Sequence, residues 1–196
     1  MDYFDLDYND AAAAAQPTAR RRSSVYHDDV TDDCWLEPEE WHLWHGLLRT
    51  WSLMEAELDR RLQEDGGLAL AEFEVLSYLV TGPKQGLRMF ELGDRVLASK
   101  TRLTHIVDRL EAQQFVSRRR DPDDARGVRV VVTARGRKAQ AACSPIYVAT
   151  VRTRLLDHFT PAQARATIAA LDKARGALGD CSRVAASDHL VISATD

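Results

Sequence analysis

At 196 residues the chain is long enough to bury a sizeable core as one domain, or one domain with tails. No run of about 18 apolar residues is present, which argues against a membrane-spanning helix, and three widely spaced cysteines (Cys34, Cys143, Cys181) fit reduced thiols and not a disulfide framework. The net charge of −4 is unevenly spread: residues 87–138 carry +6 and the remainder −10, so a basic module rides on an acidic body, a layout suited to holding a polyanion locally.

Residues 1–33 hold eight Asp, an alanine run (Ala11–Ala15) and Arg20-Arg21-Arg22, a composition expected of a disordered acidic tail whose Arg triplet could touch DNA as a flexible arm. The opening MDYFDLDYND has no signal-peptide apolar core, so a cytoplasmic protein is expected. From Pro38 to about Gln63, Trp41, Trp44, Leu47, Leu48, Trp51, Met54, Leu58 and Leu62 recur at helical spacing, with Glu39 and Glu40 at the favourable dipole end and Gly66-Gly67 as a stop. A long helix with such an aromatic stripe wants a partner.

A second helix is predicted over Leu70–Val80, closed by Gly82-Pro83, and a third over Leu87–Val96 with Leu87, Phe90, Leu92 and Val96 inward. Ser99 can cap a fourth, whose inner face is Leu103, Ile106, Val107 and Leu110. Two β-branched strands around DPDDARG follow, making a wing. Thr133 then caps a helix to about Phe159, interrupted or kinked at Pro145. Thr160-Pro161-Ala162-Gln163 reads as a capping box opening a last helix to about Ala177 that buries Ile168, Leu171 and Leu178. Residues 179–196 are expected to be a flexible tail. The fold class is mainly α with a small β-wing, a winged helix-turn-helix with dimerisation helices from both termini: residues 36–178 as the domain, 66–138 its DNA-binding core, 36–65 and 139–178 its dimerisation helices.

With the fourth helix's apolar face buried, Lys100, Thr101, Arg102, Thr104, His105, Asp108 and Arg109 face outward. Arg102 and His105 can reach base edges, since Arg reads guanine bidentately. Ser99, Thr101 and Thr104 are short donors suited to phosphate oxygens near a helix N-terminus. A solvated amphipathic helix would show the same pattern, and the wing decides between the two. Its tip, Asp123 to Gly127, carries a lone Arg126 that Asp124 could hold for insertion into a narrow minor groove. Arg118, Arg119, Arg120 and Arg129 on the strands beneath would contact phosphates. A purely structural hairpin needs no such density of cations.

The string SKTRLTHIVDRLEAQQFVSRRRDPDDARGVRVVVTARGRKA, with Asp124-Ala125-Arg126 and Val132-Thr133-Ala134-Arg135-Gly136, resembles the MarR family of winged-helix regulators, specifically an actinobacterial branch. LALAEFEVLSYL and LRMFELGDRV resemble that family's second and third helices, YVATVRTRLLDHFTPAQ resembles its fifth-to-sixth-helix junction, and the likeness spans roughly 36–178. The resemblance implies a homodimer on a pseudopalindromic operator in double-stranded DNA, usually a repressor, with residues 99–109 in the major groove and Arg126 in the minor groove. It also implies release by a small phenolic or lipophilic acid in a cleft between the DNA-binding and dimerisation regions. The long acidic tail and Lys100 depart from the branch and bear on the operator sequence.

Trp41, Trp44, His45 and Trp51 could line that cleft, with Arg49 or Arg88 meeting a carboxylate, although the same aromatics would equally pack a dimer core. Metal sensing would draw on His42 and His45, joined by Cys34, Asp157 and His158, but His-x-x-His without a third ligand is a weak signal, and no metal site is assigned. Thiol sensing would need a lowered pKa, which the aspartates around Cys34 disfavour; Cys143 is expected to be buried and Cys181 to lie in the tail. No phosphate loop, nucleophile elbow or paired metal motif marks an enzyme, and no cofactor is implied. A dimeric interaction protein with a degenerate DNA face would have lost cations that are all present here.

Overall fold

The computed structural model describes residues 36–96, 99–121 and 127–179. The chain divides into two units, residues 1–41 and 42–196. Of the first, only residues 36–41 are described; Glu37 N–H donates to the Glu40 carboxylate at 3.0 Å at the start of the first helix.

Helix α1 (Pro38–Gly66) buries only its later apolar positions, Met54, Leu58 and Leu62. Trp44, Leu47, Leu48 and Trp51 of the same stripe stay exposed. Gly67 then takes a left-handed φ of 72°, which glycine adopts without a Cβ penalty. Asp59 reaches from α1 to accept the Leu70 N–H at 2.8 Å, tying it to the start of α2 (Leu70–Thr81). Helix α2 is buried along most of its length, and its Phe73, Leu76 and Leu79 pack with Leu62, Leu92, Leu103, Leu110 and Val130 in one core. Each such side chain contributes about 1.5–3 kcal/mol by leaving water.

The segment expected to begin a helix at Leu87 instead opens with a two-residue strand, β1 (Leu87–Arg88), followed by α3 (Met89–Arg95). Gly86 makes the pairing possible: its φ is 86°, and a Cβ there would lie 2.2 Å from the Val130 carbonyl oxygen. Leu87, Leu92 and Val96 are buried as expected, whereas Phe90, about half a turn from Leu92, is 62% exposed and not a core residue.

Helix α4 (Lys100–Ala112) buries Leu103, Ile106, Val107 and Leu110, the face read from the sequence. Gln114 turns the chain at φ 62°, and β2 (Val116–Arg120) pairs antiparallel with β3 (Val128–Val132). Strand β3 is central, in the order β1-β3-β2. Helix α5 (Ala134–Arg154) is capped by Thr133, whose hydroxyl accepts from Gly136 N at 3.0 Å. Glycine is required at 136 because a Cβ would sit 2.1 Å from the Phe115 carbonyl oxygen. The helix runs through Pro145 to Arg154 and gives way to a 3₁₀ turn at Leu156–His158, short of the helical run to Phe159 that the sequence predicts.

Thr160 and Gln163 form the expected capping box at the head of α6 (Pro161–Ala177). The burial expected of α6 is not realised within one chain: Ile168, Leu171 and Leu178 are all exposed. Periodicity identified an apolar stripe but not the surface that covers it. No helix among the described residues is long and apolar enough to cross a membrane.

Candidate nucleic-acid interface

Ser99 sets the orientation of α4 by accepting the Arg102 N–H at 3.3 Å. Lys100, Thr101, Arg102, Thr104, His105, Asp108 and Arg109 are then all exposed on the side away from the core. Thr104 turns its hydroxyl back to the Lys100 carbonyl at 2.9 Å, leaving its oxygen lone pairs and not its proton for a ligand. Lys100, Arg102 and His105 project outward, and the Lys100 and Arg102 cations give this face its positive character.

Not every cation read as a DNA contact is equally available. Arg109 Nε lies 3.3 Å from Glu72 of α2, a carboxylate buried at the helix start, where it also accepts the Ala69 N–H at 3.0 Å. Arg118 donates to Asp108 at 2.6 Å and to Glu111 at 2.5 Å, both on α4. Burial works against its charge, but these two hydrogen bonds prevail and its pKa is raised. Arg119 and Arg120, next along β2, are exposed.

Arg129 occupies a different environment. The strand register sets Arg88, Arg129 and Arg119 side by side across the sheet, a like-charged row that needs a counter-charge. Asp121, whose side chain is fully buried, supplies it: its Oδ2 lies 2.5 Å from Arg88 Nε and 3.0 Å from Arg129 Nε. The second contact is an ion pair whose angle misses a hydrogen bond. Arg129 also donates to the Gly86 carbonyl at 3.2 Å and retains little exposed surface. It therefore fastens the base of the wing, and the phosphate contact expected of it meets a committed guanidinium. Asp121 N–H closes the hairpin onto Gly127 O at 2.9 Å. Asp124 and Arg126, the expected minor-groove pair, lie outside the described residues, as do Cys34, Cys181 and the Arg20–Arg22 triplet.

A cleft of about 1530 Å³ opens between α1, α2 and α4, bordered by Trp51, Glu55, Glu74, Tyr78, Arg95 and Arg102 among others. Of the residues expected to line it, only Trp51 does. Trp41, Trp44, His45 and Arg49 are exposed on α1 and absent from its walls, and Arg88 is drawn into the sheet by Asp121. Sequence reading missed Arg95, which reaches the cleft from α3, and Glu74, whose carboxyl burial holds above its usual range, with Glu55 adding repulsion and Arg102 opposing both. Helical spacing alone placed Glu74 on α2 without showing which neighbour it faces.

Cys143 is buried, its thiol 3.5 Å from the Gly66 carbonyl, and burial pushes its pKa up, which disfavours the thiolate a redox sensor requires. Among the described residues, no three His, Cys, Asp or Glu side chains gather as metal ligands.

The comparisons with known proteins converge on one family. The sequence profile of the MarR family matches residues 66–127, which spans α2 through the wing. An uncharacterized HTH-type transcriptional regulator, YkoM of Bacillus subtilis, is 30% identical over 114 residues, covering 58% of this chain and 72% of that protein. Among solved structures, Sco3205, a MarR-family regulator of Streptomyces coelicolor in complex with DNA, superposes with a TM-score of 0.69 at 32% identity over 74% of this chain and 94% of its own. AbsC, another MarR-family regulator of Streptomyces coelicolor, gives 0.66 at 30% identity over 74% of this chain and 95% of its own. Both the sequence likeness and the superposed fold span the helices and the wing described above, and this chain belongs to the MarR family of transcriptional regulators.

Proposed function

We propose that the chain is a homodimeric, sequence-specific DNA-binding repressor of the cytoplasm, and not an enzyme, that releases its operator when a small molecule occupies the cleft. The observation that carries the DNA reading is the exposed, positively charged outer face of α4, continued by Arg119 and Arg120 on β2. In this reading α4 enters the major groove, where Arg102 and His105 meet base edges and Ser99, Lys100, Thr101, Thr104 and Arg109 meet bases or backbone near the helix start. Arg119 and Arg120 hold phosphates, and Arg126, steadied by Asp124, enters the minor groove. The DNA complex of the Sco3205 protein supports the same use of the fold.

Dimerisation rests on the apolar side chains that α1 and α6 leave in water, Leu47, Leu48, Ile168 and Leu171 among them. A pseudopalindromic operator follows from two-fold symmetry.

The cleft supports the ligand reading because it borders both Trp51, an apolar surface, and Arg102, a proposed base reader. A phenolic or lipophilic acid would place its ring against Trp51 and its carboxylate toward Arg102 or Arg95, competing with DNA for Arg102. An electrophoretic shift with the chain's own promoter fragment, at fixed salt, tests the DNA reading. A retarded complex that weakens steeply as salt rises is expected. Binding insensitive to salt would overturn the assignment of this face.

A further inference from the structure

Arg118 stands out from its neighbours on β2. Glu111 accepts both the backbone N–H of residue 118, at 2.9 Å, and its guanidinium, at 2.5 Å. Asp108, one turn earlier on α4, takes the other terminal nitrogen at 2.6 Å. The guanidinium therefore spans two carboxylates that both belong to the proposed reading helix. One cation against two anions leaves a net negative charge at this point, which a phosphate would not approach while the bridge is closed. Asp108 is half-exposed and adjoins Arg109, so without a counter-charge its carboxylate would face the same polyanion that Arg102 and His105 are proposed to read.

Resting on the DNA-binding reading above, we infer that Arg118 is a positioning residue: it offsets part of the charge of Asp108 and Glu111, locks the wing strand to the recognition helix, and makes no phosphate contact of its own. Planarity is essential to this role, because a guanidinium presents two terminal nitrogens in a fixed fork and an ammonium presents one point charge. Helix and wing are then held at one mutual angle before DNA arrives, so the ordering is not charged against binding.

The experiment uses the full chain and two labelled duplexes: one enriched by the wild-type chain from a random-sequence library, the other a scramble of the same composition. Affinities are measured by fluorescence anisotropy across a salt series for wild type, Arg118→Met, Arg118→Lys and the double variant Asp108→Asn/Glu111→Gln. The clasp predicts that Arg118→Met weakens the enriched duplex about tenfold while the slope of log affinity against log salt stays at the wild-type value. It predicts that Arg118→Lys fails to restore discrimination between the two duplexes. The double variant, which keeps Arg118, should also lose discrimination. If Arg118 grips a phosphate instead, Arg118→Met lowers the slope by about 0.9, Arg118→Lys restores binding, and the double variant binds both duplexes as well as or better than wild type. Any one of these three outcomes overturns the clasp while leaving DNA binding intact, and the double variant decides alone if Arg118→Met fails to fold. Enrichment of no sequence by the wild-type chain would overturn the DNA-binding reading, and the positioning role with it.

Discussion

Replacing Ile168 by Asp on α6 isolates the proposed dimer contact, because no residue of α6 is buried within the chain and Ile168 borders neither the cleft nor the reading face. Ile168 is 59% exposed in the single chain. Complete burial of such a side chain is worth about 1.5–3 kcal/mol, so covering the exposed part contributes about 0.9–1.8 kcal/mol. Two-fold symmetry counts it twice, giving about 1.8–3.5 kcal/mol, or roughly a 20- to 350-fold rise in the dimer dissociation constant. Two carboxylates stripped of water at the interface add to that. Sedimentation velocity over a concentration series would read the change directly, and circular dichroism would verify that the α2–α4 core, which Ile168 does not touch, stays folded. A dissociation constant unmoved by Ile168→Asp would refute α6 as part of the interface. A wild-type chain that remains monomeric at high concentration would refute the homodimer.

Arg102→Ala should weaken the preferred operator by about 1–3 kcal/mol and relax preference at the base pair it reads, checked by selection from a randomised library; an unchanged preference would place the reading elsewhere on α4. Asp121→Asn should lower stability by about 3–5 kcal/mol, since Arg88 and Arg129 would then face each other beside a neutral amide, and urea unfolding would measure it. Gly86→Ala should destabilise the β1–β3 pairing by more than the about 1–2 kcal/mol of a left-handed residue, because its Cβ also meets the Val130 carbonyl; faster exchange of the β3 amides that face β1 is expected, and wild-type protection of those amides would contradict it. In a Cys34→Ser/Cys181→Ser background, Cys143 should react with a thiol reagent only as fast as the native state opens, at neutral pH and well above it, because burial raises its pKa. Rapid stoichiometric labelling of the folded protein would contradict that.

The parts of the fold that were legible in the sequence are those written locally. Leu103, Ile106, Val107 and Leu110 declare the inner face of α4 by spacing alone, and Ser99, Thr133 and Thr160 act as caps through contacts three residues away. What was not legible depends on distant partners. A two-residue strand at Leu87–Arg88 has no periodicity to display and exists because Val130 and Arg129 lie opposite it. The four arginines on β2 and β3 look equivalent as letters, yet Arg118 faces Asp108 and Glu111, Arg129 faces Asp121, and only Arg119 and Arg120 stay exposed. The aromatic stripe of α1 was visible, but which of its tryptophans borders the cleft depends on neighbours distant in sequence, and of them Trp51 lines it.

Helix α5 is anchored at one end to the wing, through Thr133 and the close approach of Gly136 to Phe115, and its 21 residues carry it away to the 3₁₀ turn before α6. At 1.5 Å per residue it is a rod about 31 Å long. Tilting such a rod by about 10° moves its far end by about 5 Å, more than the rise of one base pair. In the proposed symmetric pair of chains, a modest rocking where the terminal helices meet would be levered by α5 into a displacement comparable to the spacing of base pairs. The proline at position 145 removes one rung of hydrogen bonding near the middle of this rod, which makes its stiffness a tunable quantity.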